Sequence, residues 1–303
     1  MQYWPRKRAK KLRARIRNWS LIDGTLPAFI GYKAGMTHVI INDTRPSSMT
    51  KGQRISLPVT VIECPPIKSV SLHFYKKTPY GLKQISSLFS SKLDKNLKIK
   101  ISKKQKEPED FDELRLLVHT QPELINLKKK PDLLELPVPG NTNEEKLKLA
   151  KELLEKEIKI NELFKEGSYT DVHAVTKGKG YQGAVKRFGV PLLQHKSEKK
   201  KRGVASLGAW NTRSMWRVPF PGKMGYHQRM DHNKQILKIS SKPEEINPKG
   251  GFVNYGLIKT DFILLKGSVP GHIKNPIVIS KPIRQNKKPY PLEIVAISLR
   301  SKQ

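Results

Sequence analysis

Cysteine occurs once in 303 residues, at Cys64. A single thiol excludes an internal disulfide framework and any zinc cage built on cysteine, and it suits a reducing compartment. Acids are scarce as well: 26 Asp and Glu stand against 59 Lys and Arg, a formal net charge of +33. A globule so charged repels itself unless an outside polyanion neutralises it, which makes nucleic acid the leading partner and an anionic membrane surface the second. Long apolar runs are missing. No stretch approaches the roughly 20 residues that span a bilayer, and no long basic helix carries an apolar stripe, so the membrane reading is weak. No apolar segment follows the basic run at 6–17, which therefore does not read as a secretory signal, and the expected location is the cytoplasm.

The signatures of catalysis are thin. His173, His195, His227, His232 and His272 lack the i, i+4 spacing that puts two metal ligands on one helix face, and no paired carboxylates accompany them. Ser206 and Ser214 sit in no Gly-x-Ser-x-Gly elbow. Gly178-Lys179-Gly180-Tyr181-Gln182-Gly183 matches the G-x-G-x-x-G dinucleotide pattern formally. A Rossmann turn must open a long helix aimed at a pyrophosphate, and here Gly189 and Pro191 follow within a few residues. The better reading is a turn whose glycines let the backbone approach phosphate while Lys177, Lys179, Lys186 and Arg187 supply charge. No cofactor and no metal are expected.

What is present is cation, arranged in blocks. Residues 1–26 carry Arg6, Lys7, Arg8, Lys10, Lys11, Arg13, Arg15 and Arg17 with Asp23 as the one acid. Such a run cannot fold alone, and it reads either as a solvated tail or, since Tyr3, Trp4 and Trp19 interleave, as an arm that orders on RNA. From Pro27 the pattern turns to short apolar strands, 28–32 and 37–41 around a turn at 33–35, then alternation from Ile55 to Val61, stopping at Cys64-Pro65-Pro66. Residues 66–167 hold 16 of the 26 acids and read as an inserted α+β unit. Thr142 to Glu145 form a capping box ahead of Leu147, Ala150, Leu154 and Ile158 at helical spacing, and residues 114–118 are a candidate strand. Strand signals return at 172–176, 235–240, 251–257, 262–265, 276–280 and 293–299. The fold expected is mainly β: one closed barrel from residues 27–65 and 168–303, interrupted by the unit at 66–167. Between its strands lies a stretch at 195–234 too long and too cationic for an ordinary loop, and it reads as a finger that orders by threading into folded RNA.

The blocks Gly31-Tyr32-Lys33-Ala34-Gly35-Met36-Thr37-His38, Val175-Thr176-Lys177-Gly178-Lys179-Gly180, Val185-Lys186-Arg187, Gly208-Ala209-Trp210 and Gly225-Tyr226-His227-Gln228-Arg229 resemble the archaeal and eukaryotic branch of the ribosomal protein L-three family, in order over nearly the whole chain. That resemblance implies a barrel of the translation-protein type with a basic arm, and a finger whose tip, at Trp210, approaches the peptidyl transferase centre. It implies a non-catalytic constituent of the large ribosomal subunit that binds large-subunit rRNA, supports subunit assembly and meets neighbouring ribosomal proteins, with the acidic insert as the candidate face. The arm is shorter than in the family, lacking a Gly-Ser-Leu-Gly-Phe block. The residues expected on RNA are Arg6, Lys7, Arg8, Lys10, Lys11, Arg13, Lys33, Lys177, Lys179, Lys186 and Arg187 outside the finger. Within it they are His195, Lys196, Lys199, Lys200, Lys201, Arg202, Trp210, Arg213, Trp216, Arg217, Lys223, Tyr226, His227, Arg229 and Lys234. An RNA-modifying enzyme and a DNA-compacting protein are the alternatives to be separated by assay.

Overall fold

The structure, a computed structural model, describes residues 5–21, 24–45, 48–91, 93–97, 107–108, 110–197, 199–205, 207–208, 218–285, 290 and 293–300. It is mainly β. In chain order the elements are β1 (Ala28–Asn42), β2 (Arg54–Glu63), β3 (Ile67–Thr78), β4 (Gly81–Phe89), β5 (Glu113–His119), β6 (Leu133–Pro137), helix α1 (Asn143–Glu155), β7 (Glu157–Ile158) and helix α2 (Ile160–Leu163). They continue with β8 (Tyr169–Val175), β9 (Tyr181–Gln182), helix α3 (Ala184–Phe188), β10 (Gly222–Lys223), β11 (Gln228–Ser240), β12 (Phe262–Lys266), β13 (Pro276–Ser280) and β14 (Glu293–Ile297).

Six strands close into a ring. β1 pairs with β2, β2 with β12, β12 with β11, β11 with β8, β8 with β13, and β13 returns to β1, every pair antiparallel. The length of β1 makes this possible, because along one edge its residues 28–32 pair with β13 while 39–42 pair with β14. The turn expected at 33–35 is instead a bulge within one continuous strand: the register against β2 shifts between Lys33 and Gly35, which absorbs an extra residue without breaking the ladder.

Alternate residues of β2 and β12 feed two different apolar clusters, Ile62, Ile263 and Leu265 one, and Val61, Phe262 and Leu264 the other. Side chains of a strand alternate between its faces, so strands with both faces covered read as unbroken apolar runs. The first cluster is continuous with the second sheet, ordered β4-β3-β5-β6 with β7 added to β3, through Leu72, Phe74, Leu114 and Leu116. Helix α1 covers that sheet. Thr142 Oγ1 accepts from the Glu145 N–H at 3.3 Å and Glu145 Oε2 from the Thr142 N–H at 3.4 Å, completing the capping box. Ala150 is fully buried, and Leu147, Leu149, Leu153 and Leu154 pack on the core. Ile158, which continues the helical stripe in the sequence, lies past the helix end at Glu155 and pairs with Ile67 in β7.

Two other expectations change. Residues 251–257 form a tight turn with a single bridge between Phe252 and Gly256, because Gly251, Asn254 and Gly256 all take positive φ, at 78°, 60° and 107°. The strand expected from Gln235 begins at Gln228, so residues 228–234 belong to the ring and not to the finger.

Two acids of the ring, Glu63 and Asp171, are turned inward. Glu63 is fully buried and accepts from the Lys259 and Thr260 N–H groups at 2.7 and 2.9 Å and from the Tyr255 hydroxyl. Burial and that carboxylate push the Tyr255 phenol well up. Asp171, also fully buried, accepts from the Asn233 N–H at 2.8 Å and the Ile283 N–H at 3.1 Å.

Candidate nucleic-acid interface

The ladder between β8 and β11 does not stop at the edge of the ring. Past the Val175 and Gln228 pair, the Thr176 N–H donates to the His227 carbonyl at 2.9 Å and the Tyr226 N–H to the Thr176 carbonyl at 3.1 Å. Lys179 and Met224 follow, with Lys179 N–H to Met224 O at 2.9 Å and Met224 N–H to Gly180 O at 2.8 Å, and then β9 pairs with β10. These bonds make a two-stranded root that closes at β9 and β10, on either side of residues 183–221 in the sequence. Gly225 permits it: its φ is +76°, and a Cβ there would fall 2.0 Å from the Lys177 carbonyl oxygen. No side chain fits between the strands at that point.

Lys177, Lys179, Lys186 and Lys223 are exposed around this root. The dinucleotide-like glycines serve the turn itself, since Tyr181 and Gln182 form β9 and the helix after Gly183 ends within five residues at Gly189, φ +70°. Farther out, the Leu193 N–H donates to the Lys201 carbonyl at 3.0 Å, closing a loop over 193–201. His195, Lys196, Lys199, Lys200, Lys201 and Arg202 are exposed on it or beside it. Trp210, Arg213, Trp216 and Arg217 lie outside the described residues.

The N-terminal arm comes to the same place. Among the described residues 5–21 make no helix or strand, yet the arm is fastened to the root along its length. The Ala9 N–H donates to the Tyr226 carbonyl at 2.8 Å, His227 Nδ1 meets the Lys7 carbonyl at 2.9 Å, and the side-chain amide of Gln228 accepts from the Arg15 N–H at 3.1 Å while donating to the Arg15 carbonyl. Arg8 lies over the Tyr226 ring at 5.4 Å, and Arg6 over Phe188 at 4.3 Å. Ala14 is buried, and Ile16 and Trp19 pack against the core. Arg13 crosses to the other sheet and donates to the Leu133 carbonyl; burial pulls its pKa below the usual guanidinium range, against the pull of Glu135 and Asp132. Lys7, Arg8, Lys10 and Lys11 stay exposed. Arm and finger root therefore present one surface.

Lys33, His227 and Lys234, like Arg13, make their contacts within the protein. Lys33 is 8% exposed and its Nζ donates to the Val269 carbonyl at 2.7 Å and the Gly271 carbonyl at 3.2 Å, so it ties the β1 bulge to the turn before β13. Desolvation lowers its pKa. The bulge aims that side chain into the protein. His227 is buried under the arm, and Lys234 sits in β11, 3.6 Å from Asp231. Arg229 is half-buried on the same strand.

Comparison with known proteins bears on what this surface serves. The family model described as Ribosomal protein L3 matches residues 1–111 and 105–303. The chain belongs to the ribosomal protein L3 family. It is 43% identical over 316 residues to the large ribosomal subunit protein uL3 of Picrophilus torridus, covering 100% of this chain and 96% of that relative. It is 44% identical to the proteins of the same name from Archaeoglobus fulgidus, over 320 residues, and Methanocaldococcus jannaschii, over 321, with the same shares covered.

In this member of the family, sequence reasoning missed the residues that seat the arm. Phe188 and Gln228, which hold Arg6 and Arg15, carry no charge, and what they do is decided by partners far away in the chain; only Gln228 lies in a block singled out by the resemblance. Among the described residues no group of three or more His, Cys, Asp or Glu is placed to hold a metal ion, and no helix is long and apolar enough to cross a membrane.

Proposed function

We propose that this chain is a structural constituent of the large ribosomal subunit that binds large-subunit rRNA with its arm and finger, supports subunit assembly and reaches toward the peptidyl transferase centre with the finger tip. Its place is the cytoplasmic ribosome, and it does no chemistry of its own. One observation carries the reading: the arm and the finger root meet in a single cationic surface on which Lys7, Arg8, Lys10, Lys11, Lys177, Lys179, Lys186 and Lys223 pair with no described carboxylate. Such a surface is completed by phosphates. In this reading the arm is residues 1–26, the ring is the translation-protein-type barrel of 27–65 and 168–303, the finger is the excursion carried on the root, and the unit at 66–167 faces neighbouring ribosomal proteins.

Crosslinking from the finger in intact large subunits tests it. Crosslinks to rRNA near the peptidyl transferase centre are expected, and crosslinks confined to protein would refute it. Trp210→Ala should cost on the order of 1–3 kcal/mol locally if the indole stacks on a base; unchanged chemical-probing reactivity of the rRNA in assembled subunits would remove that contact. Turnover of an RNA substrate by the purified protein, abolished by one point change, would favour an enzyme instead. Equal binding to duplex DNA and structured rRNA would favour a compaction role.

A further inference from the structure

Where the arm crosses the finger root, two guanidinium groups share one aromatic ring. The Arg6 Cζ lies 4.3 Å from the Phe188 ring centroid and the Arg187 Cζ 5.0 Å from it. Each is anchored by one hydrogen bond to a backbone carbonyl, Arg6 Nη1 to Arg187 O at 3.1 Å and Arg187 Nη1 to Phe220 O at 2.9 Å. Arg187 is further confined by β10, since a Cβ added at Gly222 would stand 2.7 Å from its Nη1. The Nε atom of each arginine is buried and has no acceptor.

This arrangement is unfavourable by itself. A cation over an aromatic face is attracted to the ring, but two cations on one ring repel each other, and a buried donor without an acceptor costs about 1–3 kcal/mol. Among the described residues neither arginine has a carboxylate within 4 Å. An anion with several acceptor oxygens, taken by the Nη2 group of each arginine, offsets the repulsion, and the guanidinium fork matches a phosphate. We propose that Arg6 and Arg187, held on Phe188, form one composite site for a single backbone phosphodiester of RNA. The site exists only when the arm is seated on the root, because Arg6 belongs to one and Arg187 to the other. The inference rests on the RNA-binding reading above and adds to it that these two arginines act on the same phosphate.

The test is the salt dependence of full-length protein binding to a large-subunit rRNA transcript, for the wild type, R6Q, R187Q and the double variant. Each phosphate contact contributes about 0.7 to 0.9 to the log–log slope. One shared phosphate predicts that either single change lowers the slope by one contact and that the double change lowers it no further. A double variant that loses two contacts, or single variants with the wild-type slope, would overturn the proposal. Phosphate-ethylation interference gives a second readout that survives even where R187Q folds poorly, since Arg6 lies outside every strand and helix. One RNA phosphate should matter to the wild type and cease to matter in R6Q. Exchange of chloride for inorganic phosphate at equal ionic strength, selectively weakening the wild type with no RNA phosphate showing interference, would assign the pair to a free anion and overturn the RNA assignment. A wild type that fails to bind rRNA at all fails the underlying reading instead.

Discussion

In the sheet built on β3, Lys76 stands 2.7 Å from Asp110, Lys151 2.7 Å from Glu107, Arg115 2.8 Å from Glu113 and Lys68 3.2 Å from Glu157, whereas along the arm and the finger root no described cation has such a partner. Composition follows the same division: residues 66–167 hold 21 Lys and Arg against 16 acids, and the rest of the chain 38 against 10. Exposed ion pairs contribute only about 0–1 kcal/mol, so those pairs are a poor source of stability. The 66–167 region carries a formal charge of +5, and the rest of the chain +28. The other region withdraws Glu63 and Asp171 into the ring, and the exposed lysines of its arm and finger root pair with no described carboxylate. One chain thus carries a surface suited to contacts of low net charge and a surface that needs a polyanion.

The largest effect that would break this comparison is on affinity. Replacing Arg6, Lys7, Arg8, Lys10 and Lys11 together by Gln should cost up to roughly 10³-fold in rRNA binding at moderate salt, with a shallower salt slope, while Lys→Gln changes at Lys76 and Lys151 leave both unchanged. Filter binding across a salt series measures it. Equal losses from the two sets would erase the distinction. Next comes the fate of the acids. Glu63→Ala should lower urea-unfolding stability by about 3 kcal/mol or more, since several buried donors lose their acceptor, whereas Glu107→Ala should stay within about 1 kcal/mol.

Gly225→Ala tests the finger root without altering any charge. It places a Cβ against the Lys177 carbonyl at positive φ and should cost about 3 kcal/mol, seen as faster amide exchange at Thr176 and Tyr226; Gly180→Ala, also at positive φ but with open space around it, should cost about 1 kcal/mol. The smallest effect is on pH. Burial holds the His173 imidazole at about 4, below its ordinary 6.5. The unfolded chain therefore binds the extra proton between those values, so this contribution is complete above pH 6.5 and is lost as pH falls toward 4. The loss should reach on the order of 2–3 kcal/mol in urea midpoints, and His173→Gln should flatten it.

Much of the ring was legible because its strands are short, apolar and bounded by glycine and proline: the 262–265 and 276–280 runs fall on β12 and β13 almost residue for residue. Strands β3 and β4 were not anticipated, since Lys68, His73, Lys76, Lys77 and Lys83 interrupt the apolar pattern that one covered face alone provides. The run at 251–257 misled because apolar side chains at Phe252, Val253 and Leu257 say nothing about the sign of φ. In the candidate interface the cations were legible as composition, but their uses were not. Lys33 and Lys177 are both lysines within two residues of a glycine, and only the bulge that buries one and the root that exposes the other separates them.

The ring joins the two ends of the chain: Ala28 pairs with Ser280, and β2 pairs with β12. A nascent chain grows at roughly 5–20 residues per second, so β1 waits on the order of ten to fifty seconds for the partner that closes the ring. The arm is made first of all, and its seat at Tyr226, His227 and Gln228 comes about two hundred residues later. During that interval one edge of an apolar strand and a run of cations are exposed together, and late closure over large sequence separation slows folding. The time at which the chain most needs an anionic partner or a chaperone is therefore before it has finished being made.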